Sequence, residues 1–239
     1  MLKHLIALLQ SEYDDPGISE DGLVLLREGK YANSIVYRFE TGGRQLVLKE
    51  FYSRSWLIRN TVGRVLTARE TRALHSLSQV PGIPGDIRRI GPCALTMEFI
   101  SGETIKFLCN SDQKLPKSFF IEFENRVKAM HRAGYVHLDL RNMGNIIRAA
   151  DGTPYLIDFQ TGFFVTWLPR GIRQFIEGVD LSGVYKNWIR LCEEELDHER
   201  QQFLDNFKGF RKFWIFDGYW PERKWRRLRN RFKNYFGSK

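Results

Sequence analysis

Cysteine is scarce in this chain: 3 in 239 residues, at Cys93, Cys109 and Cys192, with no CxxC pair among them. An odd, widely spaced set excludes a disulfide framework and a cysteine zinc site, and fits a reducing compartment. Long apolar runs are also missing, since none approaches the ~18–20 residues a membrane-spanning helix needs. The opening stretch Met1–Gln10 is short and amphipathic and has no small-residue cleavage site, so it reads as a helix rather than a secretory signal. No repeat of fixed period is present, and a hydrophobic share of 43% is too high for intrinsic disorder. The expectation is a soluble, cytoplasmic protein of one large domain or two small lobes.

Charge is abundant but uneven. The formal net charge is +9, and residues 209–239 alone carry ten Lys/Arg against two acids, a net of +8. Everything before Gly209 is close to neutral, so an anionic partner would meet the protein at this C-terminal segment. Pro221-Glu222 reads as a helix start, and Trp225, Leu228, Phe232 and Tyr235 recur beyond it at helical spacing, widened by Phe236. Such a stripe either packs on the protein's own surface or lies on an anionic membrane, where Lys/Arg opposite Trp/Phe/Leu is well suited. Nucleic acid ranks third, because no recognised binding module accompanies the charge.

The pattern along the chain changes period several times. A short N-terminal helix gives way to the polar turn Asp14-Asp15-Pro16-Gly17. Strand-like runs follow at Leu23–Arg27, Ser34–Phe39 and Gln45–Lys49, the last two joined by Thr41-Gly42-Gly43-Arg44. Residues 55–79 turn helical and end at Val80-Pro81-Gly82. Two more strands are expected around Ile87–Ile90 and Ala94–Phe99, then a linker near Gly102. Beyond it the chain reads as helical apart from one hairpin, Asn145–Arg148 and Tyr155–Phe159, turning at Asp151-Gly152. These boundaries divide the chain into residues 1–100, a small sheet with one helix, residues 101–208, a helical lobe with a hairpin, and residues 209–239, the basic aromatic segment. A crevice between two such lobes is a natural ligand site.

The chemistry concentrates in His137-Leu138-Asp139-Leu140, Asn145-Ile146-Ile147 and Ile157-Asp158-Phe159. Transfer of a phosphoryl group from ATP needs a carboxylate for the acceptor hydroxyl, an amide and a second carboxylate for magnesium, and a cation on the phosphates. Asp139 and Asn145 share one loop, and a hairpin of this length returns Asp158 beside it, supplying the hard oxygen ligands magnesium takes. Upstream, the loop Gly29-Lys30-Tyr31-Ala32-Asn33-Ser34-Ile35-Val36 lies where backbone N–H groups could cover phosphates. Lys49 ends a strand, Glu70 follows 21 residues later on a helix, and Met97-Glu98-Phe99-Ile100 precedes the linker, where backbone groups could pair an adenine edge.

In this order the pieces resemble the protein-kinase-like superfamily in its small atypical branch. Gly29–Asn33 is similar to the nucleotide loop of RIO kinases, Val47-Leu48-Lys49 to the phosphate-binding lysine strand, and Arg69-Glu70 to the helix glutamate. His137-Leu138-Asp139 resembles the catalytic loop and Asp158-Phe159-Gln160 the metal-binding Asp-Phe-Gly. The Arg- and Trp-bearing stretch Phe51–Glu70 also resembles lipopolysaccharide-core (Kdo/heptose) kinases. The resemblance implies an α+β, two-lobed kinase-like fold with a small antiparallel-sheet N-lobe, one main helix and a reduced helical C-lobe. It also implies ATP and Mg2+ as cofactors. Asp139, Lys49 and Glu70 would be catalytic, Asn145 and Asp158 would bind metal, and Gly29, Lys30, Ala32, Asn33, Ser34, Val36, Lys49, Met97, Glu98 and Ile100 would bind the nucleotide.

Three positions depart from that pattern. Leu138 replaces an arginine, Gln160 replaces a glycine, and Asn145 stands six positions after Asp139 where the pattern has five. A one-residue bulge would absorb the last difference, with Asn142 as the rival ligand. No Ala-Pro-Glu and no long activation segment follow. Singly, each signal has a plain alternative: Gly29-Lys30 as a hairpin turn, Lys49 as a solvated strand end, His137 and His131 as structural histidines, Asp151 as a turn residue. Their joint order favours the kinase-like reading. The acceptor expected from sequence is a lipopolysaccharide-core sugar or another membrane-proximal glycolipid, which would place the protein on the inner face of the membrane. A protein serine or threonine is the alternative, and an inactive scaffold the further one.

Overall fold

The computed structural model describes residues 2–29 and 33–211. The chain divides into two units, Met1–Glu194 and Glu195–Lys239. The first begins with α1 (Leu2–Tyr13), followed by β1 (Val24–Arg27), β2 (Ile35–Thr41) and β3 (Arg44–Glu50). Thr41 pairs with Arg44 across a two-residue turn. Gly42 and Gly43 both sit at positive φ, 55° and 71°, as a twist-matched hairpin turn demands.

The helix expected over 55–79 is broken in register. One α-turn, α2 (Trp56–Ile58), passes through a π-turn at Arg59–Gly63 and continues as α3 (Arg64–Ser76). The extra residue of the π-turn keeps Gly63, Thr67, Glu70 and Leu74 turned inward. Strands β4 (Arg88–Ile90) and β5 (Ala94–Glu98) complete an antiparallel sheet ordered β1-β2-β3-β5-β4, with β3 at its centre. Leu5 and Leu9 of α1 cover one face of this sheet, packing with Phe39, Leu46, Leu48 and Ile90.

Residues 102–104, expected as part of a linker, form strand β6 (Gly102–Thr104). Helices α4 (Ile105–Asn110) and α5 (Lys117–Arg132), strand β7 (Tyr135–Val136), then β8 (Ile146–Ala149), β9 (Pro154–Leu156), β10 (Phe163–Phe164) and α6 (Arg170–Leu191) build the second lobe. The expected hairpin exists as β8–β9, but β6 joins it as a third strand, pairing Thr104 with Ile147. Helix α5 buries Phe119, Phe120, Phe123, Val127 and Met130, apolar positions three or four residues apart. Phe120 packs on Trp188 of α6, ring centroids 5.4 Å apart. The second unit opens with α7 (His198–Arg211), whose start is capped by Asp197 Oδ1 accepting from Arg200 N at 3.1 Å. The helix expected beyond Pro221, and with it most of the basic aromatic segment, lies outside the described residues. Among those described, no helix is long and apolar enough to cross a membrane.

Candidate active site

Lys49 lies on the central strand, paired with Val36 of β2 and Leu95 of β5, and is 5% exposed. A buried ammonium needs anionic partners, and two are supplied. Glu70 Oε1, from α3, sits 2.5 Å from Nζ, and Asp158 Oδ1 sits 3.4 Å away. Burial by itself would lower the Lys49 pKa, but Asp158 and Glu70 outweigh it and hold the ammonium above its ordinary value. Asp158 also lies 3.7 Å from Arg27 Nη1. Burial works to raise its pKa, yet the Lys49 and Arg27 charges prevail and keep the carboxyl below the usual range.

Asp158 does not close strand β9, as its place in the sequence suggested. It stands two residues beyond the strand at φ 70°, a left-handed conformation rarely taken by an L-residue. Leu138, beside Asp139, is likewise left-handed at φ 65°. Two residues strained in this way persist only if their surroundings hold them. For the Leu138 turn the holder is Asp180, a buried carboxylate on α6. Its Oδ2 accepts from His137 N at 2.8 Å and its Oδ1 from Leu138 N at 2.7 Å, while His131 Nε2 reaches Oδ2 at 3.1 Å. His131 is therefore more than a packing residue of its helix. His137 spends both ring nitrogens on backbone: Nδ1 accepts from Asp139 N at 3.3 Å and Nε2 donates to Ile157 O at 3.0 Å.

The long Asp139–Asn145 spacing is absorbed by a 3₁₀ turn at Met143–Asn145. Asn142 caps that turn, its Oδ1 accepting from Gly144 N at 3.1 Å, and its Nδ2 donates to Asp139 Oδ2 at 3.2 Å. Asn145, 3% exposed, donates through Nδ2 to Asp139 Oδ2 at 2.8 Å and to Asp139 O at 3.1 Å. Ile157 N donates to Asn145 O at 2.9 Å, which sets Asn145 next to the Asp158 turn. Burial raises the Asp139 pKa above the ordinary carboxyl value, against the pull of the Asn142 and Asn145 hydrogen bonds. Asn145 Oδ1 and the Asp158 carboxylate are thus the oxygens that could hold a cation. Among the described residues no group of three or more His, Cys, Asp or Glu forms a metal cage. Magnesium bound with substrate phosphates asks for one or two protein oxygens and no cage.

Gly29 is left-handed at φ 68°, Asn33 is exposed, and Ser34 and Val36 are buried. Lys30 and Ala32 lie outside the described residues. Arg54, which the sequence did not single out, straps both ends of this loop by donating to Glu28 O and, at 2.9 Å, to Asn33 O. At the end of β5, Glu98 N donates to Gly85 O at 2.8 Å and Phe99 N to Gln45 O at 3.1 Å. The buried Ile100 N–H makes no hydrogen bond among the described residues, which leaves one donor at the position expected to meet an adenine edge. Met97 is buried against the same strand pair, opposite Val47.

A five-stranded sheet whose central lysine meets a helix glutamate, above a lobe presenting Asp139 and Asp158, is the architecture of a protein-kinase-like fold. Residues 44–162 match the RIO domain family, a likeness to the atypical, RIO-type branch of that superfamily. Two similar solved structures are of the Rio2 kinase from Chaetomium thermophilum. One matches with 15% identity and a TM-score of 0.57 over 85% of this chain and 67% of that one. The other, the ADP/Mg2+-phosphoaspartate complex, matches with 15% identity and a TM-score of 0.58 over 85% and 66%. The chain thus spans about two thirds of the length of these structures. No curated protein sequence matches it.

Two features of the site escaped the sequence reading. Asp180 could have been suspected as a lone acid on the apolar face shared by Ile176 and Val184 of one long helix. Arg54 carried no signal, because its partners are backbone carbonyls.

Proposed function

We propose that this chain is an ATP- and magnesium-dependent phosphotransferase of the RIO type, acting on a serine or threonine hydroxyl of a protein. The observation that carries the reading is the convergence of Glu70 and Asp158 within 3.4 Å of the Lys49 ammonium, together with an Asp139 carboxyl held by Asn142 and Asn145. Lys49 would contact the phosphates and Glu70 would position it. Residues 29–36 would cover the nucleotide, and Glu98 and Ile100 would meet the base. Asn145 Oδ1 and Asp158 would hold magnesium, which supplies neutralisation of the charge spread over the phosphates. Asp139, its pKa raised by burial, would accept or orient the hydroxyl proton, and a base works best with a pKa drawn toward the working pH.

The family match lies on the RIO side of the two resemblances, so a protein acceptor takes precedence over the glycolipid expected from sequence. The phosphoaspartate of the Rio2 complex suggests a second acceptor, a carboxylate of the protein itself. The basic segment 209–239 still suits an anionic membrane surface, independently of the acceptor. Incubation with labelled ATP and Mg2+ tests these readings together. Acid-stable, hydroxylamine-resistant label on Ser or Thr supports the hydroxyl acceptor, and hydroxylamine-labile label supports the carboxylate. Neither label nor ATP consumption would leave the inactive scaffold.

A further inference from the structure

Gln160 stands where the kinase pattern has a glycine, and its side chain crosses to α3. Its Nε2 donates to Glu70 Oε2 at 2.9 Å, while Glu70 Oε1 takes Lys49. Glu70 is 0% exposed, so both oxygens of a desolvated carboxylate are engaged, one by each partner. The adjacent residue on α3 reaches the same loop: Arg69 Nη2 donates to Gly162 O at 3.0 Å. We infer that Gln160, with Arg69, is a positioning residue that ties α3 to the loop following Asp158 and keeps Glu70 against Lys49. This rests on the phosphotransferase reading of the site.

The loop these residues grip is itself fixed from below. Tyr135 Oη donates to Phe159 O at 2.7 Å, and Thr161 Oγ1 donates to His137 O at 3.0 Å. Phe159, fully buried, packs against the His137 ring at 5.0 Å. A Cβ at Gly162 would stand 2.2 Å from Val136 O, so only glycine lets the backbone lie this close to β7. Helix α3 therefore cannot swing outward without breaking the Gln160 and Arg69 contacts to a loop that these hydrogen bonds hold in place. A glycine at 160 would have no side chain to make the first of them. Just Val165–Pro169 separate β10 from α6, too short a stretch for an activation segment that orders on phosphorylation. In this chain the assembled lysine–glutamate pair is held by an amide rather than by a modified loop.

Gln160→Glu tests the role because it keeps the shape and changes one proton. Two carboxylates at hydrogen-bond distance in a buried site cannot both ionise easily. At pH 8 the variant in the full chain should bind Mg-ATP on the order of tenfold more weakly than wild type, about the worth of a hydrogen bond to a charged group. Amide exchange over residues 64–76 should quicken without nucleotide. At pH 6 a proton shared by the pair restores a donor, and the variant-to-wild-type ratio should return toward one. Gln160→Gly should show a similar loss at pH 8 with no recovery at pH 6, and it introduces no charge should the Glu variant fold poorly. Wild-type affinity and α3 exchange at pH 8 in both variants would overturn the inference. So would a Gln160→Glu loss equal at both pH values, since that is what a merely structural lesion gives. A wild-type chain that binds no Mg-ATP would instead refute the phosphotransferase reading itself.

Discussion

Replacing Asp180 by alanine removes three hydrogen bonds from one buried point. The side chain takes His137 N at 2.8 Å, Leu138 N at 2.7 Å and His131 Nε2 at 3.1 Å, and Asp180 itself is 1% exposed. Each donor orphaned in the interior costs about 1–3 kcal/mol. The left-handed Leu138, at φ 65°, loses the group that over-determines it, so strain of order 1–3 kcal/mol can relax by moving the loop. Taking away one partner of a buried charged cluster typically costs about 3–5 kcal/mol in all. For a protein of this size that corresponds to a fall in Tm on the order of 10 °C. Differential scanning fluorimetry, with denaturant unfolding beside it, measures the change. Asp180→Asn, which keeps one acceptor oxygen, should fall between alanine and wild type. A loss below about 1 kcal/mol for the alanine variant would refute the view that α6 holds the His137–Asp139 turn through this carboxylate.

Further outcomes follow from the same geometry. Asp139→Asn should abolish phosphoryl transfer while leaving Mg-ATP affinity within a few-fold of wild type, whereas Asp158→Asn should weaken magnesium-dependent nucleotide binding, as titration calorimetry would report. Asn145→Ala should cost far more activity than Asn142→Ala, because the Asn145 backbone is tied to Ile157 beside Asp158 while Asn142 Oδ1 is taken up in capping Gly144; the reverse ranking would reassign the ligand. The Asp139 carboxyl, raised by burial, should titrate above the ordinary carboxylate range in a carbon-13 NMR titration, and turnover should decline as pH falls through that value. The Lys49–Asp158 pair behaves oppositely at its two ends. Asp158, depressed, contributes stability present above its unfolded pKa and lost as pH falls through the lower folded value. Lys49, raised, contributes stability complete below its unfolded pKa and lost as pH rises through the higher folded one. Lys49→Met should therefore flatten the alkaline limb of a Tm-against-pH curve, and an unchanged limb would count against the pairing.

The sequence by itself determined the elements that rest on local rules. Apolar spacing gave α5, and period-two runs around a Gly42-Gly43 turn gave the β2–β3 hairpin. The ordered occurrence of Lys49, Glu70, Asp139, Asn145 and Asp158 singled out two sets of contacting side chains, Lys49 with Glu70 and Asp158, and Asp139 with Asn145. Spacing could not show how the long Asp139–Asn145 interval closes, because the 3₁₀ turn depends on an Asn142 cap acting within the folded loop. Nor could it foresee that residues 102–104 leave the linker to pair with β8, since a three-residue strand is specified by its partner and not by its own composition. The roles of Asp180 and Gln160 were decided by tertiary structure alone. Each acts across tens of residues of sequence, 43 from Asp180 to His137 and 90 from Gln160 to Glu70. A buried polar group finds its partner by position in space, and no periodicity along the chain records that distance.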